Sequence, residues 1–571
     1  MEQSVKVEGD SNGARRCATS KELISCINEE IKTPYDNFLK TMKSSGKAPC
    51  LGARGGPENK YQWLTFEEVH ERAFNLGSGL VNLGCEPSQS SFIGIYGPNC
   101  IEWDLADIAC QMFSMVSVPI YDTHGAEGCL HIIVHADITT IFCNGSKLRF
   151  LFDNAKKCDK VKRIPGKPED LFTVSYTSGT TGIPKGVMIT NANMMAAVSG
   201  VLWHYEQSGI KARDDDCIIS YLPLAHSYER LVHQVCFATV CRIGFFRGDV
   251  KLLLEDIQEL RPTLFPSVPR LLSRIYDKVM AQVSQSKVKR WLLRKALAAK
   301  EADLKRGIVK GNTIWDKVVF KKIQMSLGGR VRLISSGAAP LSSNVMSFLR
   351  CAFGECHVIE GYGQTETCAS GCITFVTDQT AGHVGPPLAC NAIKLVDVPQ
   401  KECYAKNGKG EICIKGANVF KGYLKAPEIT TETIDKDGWL HTGDIGEWLP
   451  SGALKIVDRV KHIFKLSQGE YIAPEKIENI YCRSPFVAQV FVHGDSLKAV
   501  KKEIFDDIIR KGKEAELNSF EQVKAISLHK ELFSVDNGFL TPTFKTKRPL
   551  VQKFFEKTLQ ELYAEVDKRS K

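Results

Sequence analysis

A glycine- and hydroxyl-rich loop at residues 176–186, with the sequence YTSGTTGIPKG, is the segment of this chain best suited to chemistry. Its three glycines let the backbone approach phosphate oxygens closely, its hydroxyl side chains can donate hydrogen bonds, and its lysine adds a positive charge. It is not a Walker A loop, which needs Ser or Thr after the lysine, because Gly186 follows Lys185. We therefore predict that the loop binds phosphate groups; the competing interpretation is a solvent-exposed polar loop. The predicted phosphate-binding residues are Thr177, Ser178, Gly179, Thr180, Thr181, Gly182 and Lys185.

Alternating strands and helices must position this loop. Residues 61–121 alternate helix-period and strand-like stretches, which is typical of a βαβ unit in a largely parallel sheet. A predicted strand at 172–178 leads into the loop, and a helix is predicted over 187–200. Two more predicted strands end in loops, one in a small-residue turn at 336–339 and one in a polar, glycine-rich loop at 361–366. Ligands of open α/β sheets bind beyond the carboxyl ends of strands, so we expect these three loops to converge on one site.

Composition narrows the class of protein. The chain has 571 residues, 43% of them hydrophobic and 25% charged, which excludes collagen-like, low-complexity and mostly disordered chains. The net charge of +10 suits polyphosphate ligands or an anionic membrane but is too diffuse to indicate nucleic-acid binding. The 20 cysteines lack zinc-finger spacing and residues 1–20 lack the apolar core of a secretory signal, so we expect reduced thiols in a cytosol-facing protein. No apolar stretch reaches the roughly 18 to 20 residues of a membrane span.

The basic segment 287–310 has two interpretations. It carries nine Lys and Arg residues together with Trp291, Leu292 and Leu297. Such a helix either lies on an anionic membrane or packs on the protein body through its apolar stripe, and we favour packing.

Several motifs in fixed order resemble the adenylate-forming superfamily. The loop at 176–186 resembles its phosphate-binding signature, GYGQTE at 361–366 its adenine and metal loop, TGD at 442–444 its ribose-binding step, and DR at 458–459 its hinge. The phrases YLPLAHSYER, NVFKGYLK, DGWLHTGDIGEW and KLSQGEYIAPEKIENIY resemble animal long-chain-fatty-acid–CoA ligases. The resemblance runs from about Cys50 to the C-terminus. It implies that the chain activates a long-chain fatty acid with ATP to acyl-AMP and pyrophosphate, then transfers the acyl group to the CoA thiol.

The resemblance also implies a fold and a domain plan. The fold class is α/β, with a large N-terminal domain of several subdomains that contains parallel sheets and a β-rich part, followed by a small mobile α+β C-terminal domain. We expect residues 1–20 to be a flexible leader, 21–457 the adenylation domain with the ATP and fatty-acid site, 458–463 the hinge, and 464–571 the mobile domain.

Further site residues come from the same resemblance, with ATP, Mg²⁺ and coenzyme A as the implied ligands. The nucleotide-binding residues beyond the phosphate loop are Gly361, Tyr362, Gly363, Thr365, Asp444 and Arg459. The acyl-binding residues are Gly337, Ala338, Ala339 and Gly363, and the CoA-binding residues are Lys465 and Gly469. The metal ligands are Thr181 and Glu366, and the catalytic residues are Lys545, Glu366, Thr181 and His226.

Three of these assignments have alternatives. The small residues at 336–339 are equally suited to a close helix–strand contact. His226 lies either beside the acyl carboxylate, as the resemblance implies, or in the core as a satisfied histidine. Lys547 is the second choice for the catalytic lysine, because Thr-Phe precedes Lys545 where the family has Ser-Gly.

The sequence departs from the family pattern in two places. The stretch between Thr139 and the phosphate loop is shorter than expected, and residues 493–499 run into a charged segment instead of an apolar strand. We also expect the chain to lack the N-terminal membrane anchor typical of these ligases. An alternative function is therefore a catalytically impaired, truncated isoform that acts as a nucleotide- or acyl-binding regulator. Another retains adenylation but uses a different acceptor or a short or aromatic acid. For the leading function we expect peripheral association with the endoplasmic reticulum or the outer mitochondrial membrane, and no nucleic-acid partner.

Overall fold

The structure is a computed structural model that divides into two compact units. The first comprises Met1–Lys394, Cys413–Thr442 and Trp448–Lys455, and the second Leu395–Ile412, Gly443–Glu447 and Ile456–Lys571. Up to residue 459 the described residues are 2–121, 126–143, 166–178 and 184–459, without positions 11, 12, 27, 57, 305 and 307. Beyond it they are 464–465, 471–472, 477–478, 481, 487, 490–492, 502–514, 517, 522–523, 525–527, 529, 531, 533–534, 537–540 and 546–562.

The described helices lie mostly in the first unit. They are α1 (Pro34–Ser45), α2 (Phe66–Leu83), α3 (Ile101–Met112), α4 (Ala126–His135), α5 (Asn191–Gln207), α6 (Ser227–Ala238), α7 (Leu253–Leu260), α8 (Pro269–Ser284), α9 (Lys287–Leu304), α10 (Lys321–Ser326), α11 (Ser343–Ala352), α12 (Pro427–Thr433), α13 (Lys502–Glu514) and α14 (Arg548–Phe554). A π-helical turn, Asp316–Phe320, precedes α10.

The described strands are short. They are β1 (Ser4–Lys6), β2 (Arg15–Cys17), β3 (Pro49–Gly55), β4 (Lys60–Thr65), β5 (Phe92–Tyr96), β6 (Val116–Ile120), β7 (Thr140–Cys143), β8 (Leu171–Ser178), β9 (Pro184–Thr190), β10 (Cys217–Ser220), β11 (Arg242–Phe245), β12 (Leu264–Ser267), β13 (Leu333–Ser336), β14 (His357–Tyr362), β15 (Cys372–Ile373), β16 (Asn391–Val396), β17 (Lys409–Gly416), β18 (Gly422–Tyr423), β19 (Leu440–Trp448), β20 (Leu454–Arg459), β21 (Phe464–Lys465) and β22 (Tyr471–Ile472).

Three sheets of the first unit carry the predicted parallel strands. Their strand orders are β18-β9-β8-β6-β5-β7, β10-β11-β3-β4 and β12-β13-β14-β15. The pairs β5–β6, β5–β7, β6–β8, β10–β11, β11–β3, β12–β13 and β13–β14 are parallel. Antiparallel pairs close the edges at β3–β4, β14–β15 and β18–β9. The α/β fold class is confirmed.

Local sequence explains why these helices form where they do. Helix α2 begins at a capping box in which Thr65 and Glu68 satisfy each other's backbone amides, and it ends at Gly84, whose φ is +106°. Its buried positions include Val69, Ala73 and Leu80, at helical spacing. That face packs in the core with α3, whose strand–helix–strand setting between β5 and β6 is the predicted βαβ unit.

The helix predicted directly after the phosphate loop begins later than expected. Residues 187–190 belong to β9, which pairs antiparallel with β8, and only Asn191 starts the helix. Val187 and Ile189 are buried while Met188 between them is half-buried, which is the alternation of a strand. The apolar residues of the helix that follows made these four positions look like the start of that helix. Thr190 then caps α5 in a capping box with Asn193.

Residues 1–20 are not a flexible leader, which corrects that expectation. Strands β1 and β2 pair antiparallel, and Arg15 of β2 pairs with Ile393 of β16. Ser4 is buried and accepts a hydrogen bond from Nε of Arg15 at 2.8 Å. Paired backbone and a buried hydroxyl fix this polar segment although it lacks an apolar core.

The basic segment forms α9, and the packing interpretation holds for its inner face. Leu293 and Ala296 are buried in a core cluster, and Leu297 packs against it. Lys300 is buried too and makes an ion pair with Asp316 at 2.6 Å.

The second unit has a small core of its own that includes Ile477, Tyr481, Val492, Ile508 and Leu517. This unit also contains the charged helix α13, and its described positions within 487–495 and 522–533 have no regular secondary structure. Helix α14 is followed by the helical residues 556–562.

Two findings apply to all described residues. None of the described helices combines the length and the low polarity that crossing a bilayer requires. The eighteen cysteines that the structure describes are free thiols.

Candidate active site

The two stems of the phosphate loop are the strands β8 and β9. They pair with Thr177 opposite Lys185 and Ser178 opposite Pro184. Of the predicted phosphate-binding residues, Gly179, Thr180, Thr181, Gly182 and the side chain of Ser178 lie outside the described residues. The stems therefore fix where the loop leaves and rejoins the sheet, and Lys185 is its described charged residue.

Tyr423 connects this lysine to the acidic residue of the second loop. The ammonium nitrogen of Lys185 lies 5.4 Å from the centroid of the Tyr423 ring, a cation–π contact. The Tyr423 hydroxyl donates a hydrogen bond to Oε1 of Glu366 at 2.7 Å. Burial and the Glu366 carboxylate raise the pKa of Tyr423, so its hydroxyl stays protonated and keeps donating. Strand β18 positions the ring, because Tyr423 pairs with Val187 of β9.

The loop at 361–366 has a fixed backbone that presents Glu366. A Cβ added to Gly363 would lie 2.4 Å from the carbonyl carbon of Ala369, so no larger residue fits there. The Gln364 side chain donates from Nε2 to the carbonyl oxygen of Thr442 at 2.8 Å. The backbone N–H of Phe420 donates to the carbonyl oxygen of Glu366 at 2.9 Å. Tyr362 ends strand β14.

The small-residue turn lies next to this loop. Strands β13 and β14 are parallel with Ser336 opposite Glu360, so their carboxyl ends meet at one sheet edge. Gly337 is buried, and a Cβ added to it would come within 3.7 Å of the Tyr228 ring and 3.9 Å of the Gly361 carbonyl oxygen. Ala338 has a φ of +70° and is half-buried, and Ala339 is exposed.

His226 occupies the N-cap of α6 beside that turn. Its Nδ1 accepts a hydrogen bond from the backbone N–H of Tyr228 at 3.2 Å, and the imidazole is half-buried. The next residue, Ser227, donates to the hydroxyl oxygen of Thr365 at 3.4 Å. Tyr228 in turn lies 2.8 Å from the Ser335 hydroxyl. Within the first unit, Tyr423 thus connects Lys185 to the loop at 361–366, and Ser227 and Tyr228 connect the start of α6 to that loop and to the end of β13.

A buried network of ion pairs connects α6, the helix that begins after His226, to α3. His233 lies 2.9 Å from a carboxylate oxygen of Asp104 and 3.6 Å from Oε1 of Glu229. Burial acts to lower the pKa of His233, but the two carboxylates outweigh it and raise the pKa to about 10. Arg230, from the same helix, pairs with Asp107 at 2.6 Å.

In the second unit, Asp444 and Arg459 lie together. Asp444 is buried, and its Oδ1 is 3.2 Å from Nε of the half-exposed Arg459. Gly443 has a φ of +71° and donates its N–H to Oε1 of Glu411 at 3.0 Å, which turns the backbone so that Asp444 follows.

The predicted catalytic-lysine segment is partly described. Lys545 and Gly469 lie outside the described residues, as does the side chain of Lys465. The second choice, Lys547, is half-buried, and desolvation lowers the pKa of its amine. It follows a bridge between Leu540 and Thr546, and the next residue, Arg548, pairs with Glu478 at 2.5 Å.

Sequence reasoning missed Tyr423. The residue stood inside the phrase NVFKGYLK, which carried family resemblance but no assigned role. A tyrosine in a two-residue strand can be recognised as a candidate site residue only from its contacts with Lys185 and Glu366.

Comparison with known proteins identifies the family to which the chain is similar. The family model described as AMP-binding enzyme matches residues 40–424. Long-chain-fatty-acid–CoA ligase 6 of Homo sapiens is 47% identical over 98% of this chain and 91% of its own length. Long-chain-fatty-acid–CoA ligase 1 of Homo sapiens is 44% identical over 99% of this chain and 91% of its own. The alignment with ligase 6 is 642 positions long, more than the 571 residues here, so that relative carries internal positions that this chain lacks.

Solved structures share the fold. The adenylation domain of a carboxylate reductase from Mycobacterium chelonae superposes with a TM-score of 0.77 at 22% identity, over 95% of this chain and 92% of that one. The O-succinylbenzoate coenzyme A synthetase of Bacillus subtilis, in complex with AMP, has a TM-score of 0.68 at 19% identity, over 90% of this chain and 97% of that one. The adenylate-forming fold predicted from the motifs is confirmed.

Proposed function

Since this chain belongs to the AMP-binding enzyme family and, within it, to the long-chain-fatty-acid–CoA ligases, we propose which of its residues carry each part of that reaction. The chain is an ATP-dependent acid–thiol ligase with a long-chain fatty acid, ATP and CoA as substrates. The relatives do not support the truncated-regulator alternative, because nearly the whole chain aligns with them.

The reaction asks mainly for positioning and charge neutralisation. In the first step the fatty carboxylate attacks the α-phosphorus of ATP and pyrophosphate leaves. In the second step the CoA thiol attacks the acyl carbonyl and AMP leaves. Both steps gather negative charge on phosphate oxygens, so fixed donors and cations lower their barriers.

The contact chain from Lys185 through Tyr423 to Glu366 is the observation that carries the assignment of the phosphate end. Lys185 supplies the positive charge that the β and γ phosphates need. Glu366 offers a carboxylate whose position Tyr423 fixes. A cation and an anion held by one aromatic residue suit a site that receives a polyphosphate together with a cation.

Mg²⁺ is the ion that this donor set fits. It prefers hard oxygen ligands and usually takes one or two from the protein and the rest from phosphates and water. Glu366 and the hydroxyl of Thr181 would hold it. When bound, it neutralises the phosphate oxygens; the protein's own part is to hold the Glu366 carboxylate in place through Tyr423.

The remaining assignments follow the family pattern. Asp444 accepts hydrogen bonds from the two ribose hydroxyls, and Arg459, which already contacts that carboxylate, orients it. Lys545 contacts the α-phosphate and the fatty carboxylate during adenylation, and Lys465 and Gly469 face CoA in the second step. His226 and the turn at 337–339 border the fatty carboxylate, because the turn faces Tyr228 two residues after His226.

Pyrophosphate exchange tests these roles in the first step alone. Palmitate-dependent exchange of labelled pyrophosphate into ATP should fall by about 100-fold or more in Lys545→Ala, since such charge-stabilising groups contribute on the order of 3 kcal/mol. Lys547→Ala is the matched control and should retain exchange. The reverse pattern would move the catalytic role to Lys547, and full exchange by Glu366→Gln would refute the phosphate-end assignment.

We also propose that the chain binds anionic membranes peripherally, at the cytosolic face of the endoplasmic reticulum or the outer mitochondrial membrane, through the outer face of α9. In the N-terminal half of α9 the exposed residues are Lys287, Val288, Lys289, Arg290, Trp291, Arg294 and Lys295; further along, Ala298, Glu301 and Ala302 are exposed. Five positive charges around a tryptophan that is 53% exposed suit a headgroup layer, where basic residues attract anionic lipids and the indole inserts.

A further inference from the structure

Two histidines one turn apart on α4 contact the residues on either side of the phosphate loop. Nδ1 of His135 lies 2.7 Å from the hydroxyl oxygen of Tyr176, which is on β8 just before the loop. Nε2 of His131 lies 3.2 Å from the carbonyl oxygen of Pro184, the first residue of β9 after the loop. One helix face therefore holds both stems.

The histidines and the tyrosine form one aromatic cluster. The rings of His131 and His135 are stacked with centroids 5.2 Å apart. Both rings stand edge-on to the Tyr176 ring, at 6.4 Å and 5.9 Å between centroids. Tyr176 is 2% exposed, whereas both imidazoles are half-buried and so reachable by protons from solvent.

The contact with Pro184 fixes the tautomer of neutral His131. The carbonyl oxygen of Pro184 only accepts, so Nε2 of His131 carries a hydrogen and donates it. Burial raises the pKa of Tyr176, so its hydroxyl stays protonated and can donate to Nδ1 of neutral His135. Protonated His135 carries a hydrogen on Nδ1 and can no longer accept there, and it sets a cation against the stacked ring of His131.

The charged groups around His135 set when this happens. Burial, His131 and Lys425 lower the pKa of His135, while Asp137 opposes them. Lys425 and Asp137 pair with each other at 2.5 Å, so their effects on the imidazole largely cancel. The pKa of His135 therefore lies below its ordinary value, so the imidazole takes up its proton only as the pH falls below the usual histidine range.

We infer that His131 and His135 are positioning residues that anchor both stems of the phosphate loop to α4, and that loss of the His135 contact on protonation of His135 weakens ATP binding. This inference rests on the proposed phosphate-binding role of the loop. It adds a control of nucleotide affinity by pH at a place outside the loop itself, on a helix that supplies none of the proposed ligand contacts.

Calorimetric measurement of the dissociation constant for ATP tests the inference without requiring turnover. In H131L/H135L both stem contacts are lost, and the Kd at pH 7.5 should rise roughly tenfold, the value of one or two lost hydrogen bonds. His70→Leu is the matched control, since His70 makes a comparable contact, 3.0 Å from the Tyr35 hydroxyl, elsewhere in the first unit. It should leave the Kd unchanged. An unchanged Kd in the double variant would overturn the inference.

The conservative pair H131Q/H135N keeps the test valid if the leucine variant does not fold. The two introduced side-chain amides replace the donor and the acceptor but do not titrate, so this protein should bind ATP as tightly as the wild type at pH 7.5. As the pH falls below about 6.5, the wild-type Kd should rise more than that of H131Q/H135N. If the Kd values of wild type and H131Q/H135N changed equally with pH, the proposed effect of His135 protonation on ATP binding would be refuted. If wild-type protein binds ATP but forms no acyl-CoA, the proposed function fails while these Kd values still decide the inference.

Discussion

Tyr423 is the residue on which the proposed phosphate end of the site depends. Its ring contacts the Lys185 ammonium and its hydroxyl donates to Glu366, so one side chain sets the position of both charges. Sequence reasoning identified both charged residues because glycine-rich loops and acidic loops have recognisable patterns. It missed the tyrosine, because an aromatic residue in a short strand is indistinguishable from a core residue until its neighbours are known.

Removal of the Tyr423 hydroxyl tests the contact with Glu366 separately from the contact with Lys185. Tyr423→Phe retains the ring beside Lys185 but loses the hydrogen bond to Glu366. Hydrogen bonds to charged groups contribute about 1.5 to 3 kcal/mol, so kcat/KM for ATP should fall at least about tenfold. Steady-state kinetics measure this, with Tyr404→Phe in the second unit as a control that should stay at the wild-type value. Equal kinetics for both variants would contradict the bridging role.

His233 makes stability depend on pH in a defined direction. Its folded pKa of about 10 lies above the ordinary histidine value of 6.5, so the folded state binds the proton more tightly than the unfolded state does. Its contribution to stability is complete below about pH 6.5 and is lost as pH rises through 10.

We therefore expect His233→Gln to destabilise the chain most near pH 6, by about 3 to 5 kcal/mol, because Asp104 and Glu229 lose their buried partner. Thermal unfolding at a series of pH values should show the gap between wild type and variant narrowing towards pH 10. A gap that widens with pH would contradict this account.

Helices and strands were predicted well where the spacing of apolar residues matched only one type of secondary structure. Strands β13 and β14 lie where the apolar spacing placed them, and helices α2 and α3 lie in the predicted alternating segment 61–121. The error at residues 187–190 has a physical cause: this short, apolar-rich stretch fits either period, and the antiparallel pairing with β8 that selects the strand is a non-local contact. The N-terminal strands were missed for the same reason, since β2 pairs with β16, which lies far along the chain.

The loop at 361–366 should tolerate alanine in place of Gly361 but not in place of Gly363. Gly363→Ala would press a Cβ against the Ala369 carbonyl at 2.4 Å, whereas in Gly361→Ala the nearest atom is 3.5 Å away, an ordinary contact. We expect Gly363→Ala to reduce the free energy of unfolding by about 1 to 3 kcal/mol and Gly361→Ala to change it little. Denaturant unfolding of the two variants decides the matter, and equal losses would show that the loop backbone is not tightly fixed.

Helix α9 offers a test of membrane attachment at the scale of an element. Lys289→Glu/Arg290→Glu/Arg294→Glu reverses three exposed charges and should weaken binding to vesicles with phosphatidylserine by at least about tenfold, at roughly 1 kcal/mol for each basic residue. Reversal of three exposed lysines elsewhere, Lys211, Lys251 and Lys436, gives the same net charge and should bind more tightly than the α9 variant. Co-sedimentation that is equal for the two would refute the assignment to α9.

At the scale of the whole molecule, the fold and the family were accessible from the sequence because several motifs occurred in fixed order. The contacts within each unit could not be predicted from the sequence, because they depend on which loops the strand order brings together. The internal positions that relatives have and this chain lacks raised the possibility of an inactive protein. Against that, the first unit contains three sheets with parallel strands, and contacts connect its candidate site residues from Ser227 to Tyr423.

Palmitate-dependent formation of AMP and palmitoyl-CoA by the purified chain tests the central claim most directly. With ATP and Mg²⁺ present, we expect AMP release to require palmitate, to rise when CoA is added, and to collapse in Glu366→Gln and in Lys545→Ala. Absence of palmitate-dependent AMP, in a chain that ATP still protects from thermal unfolding, would contradict the account and show a nucleotide-binding protein without ligase activity.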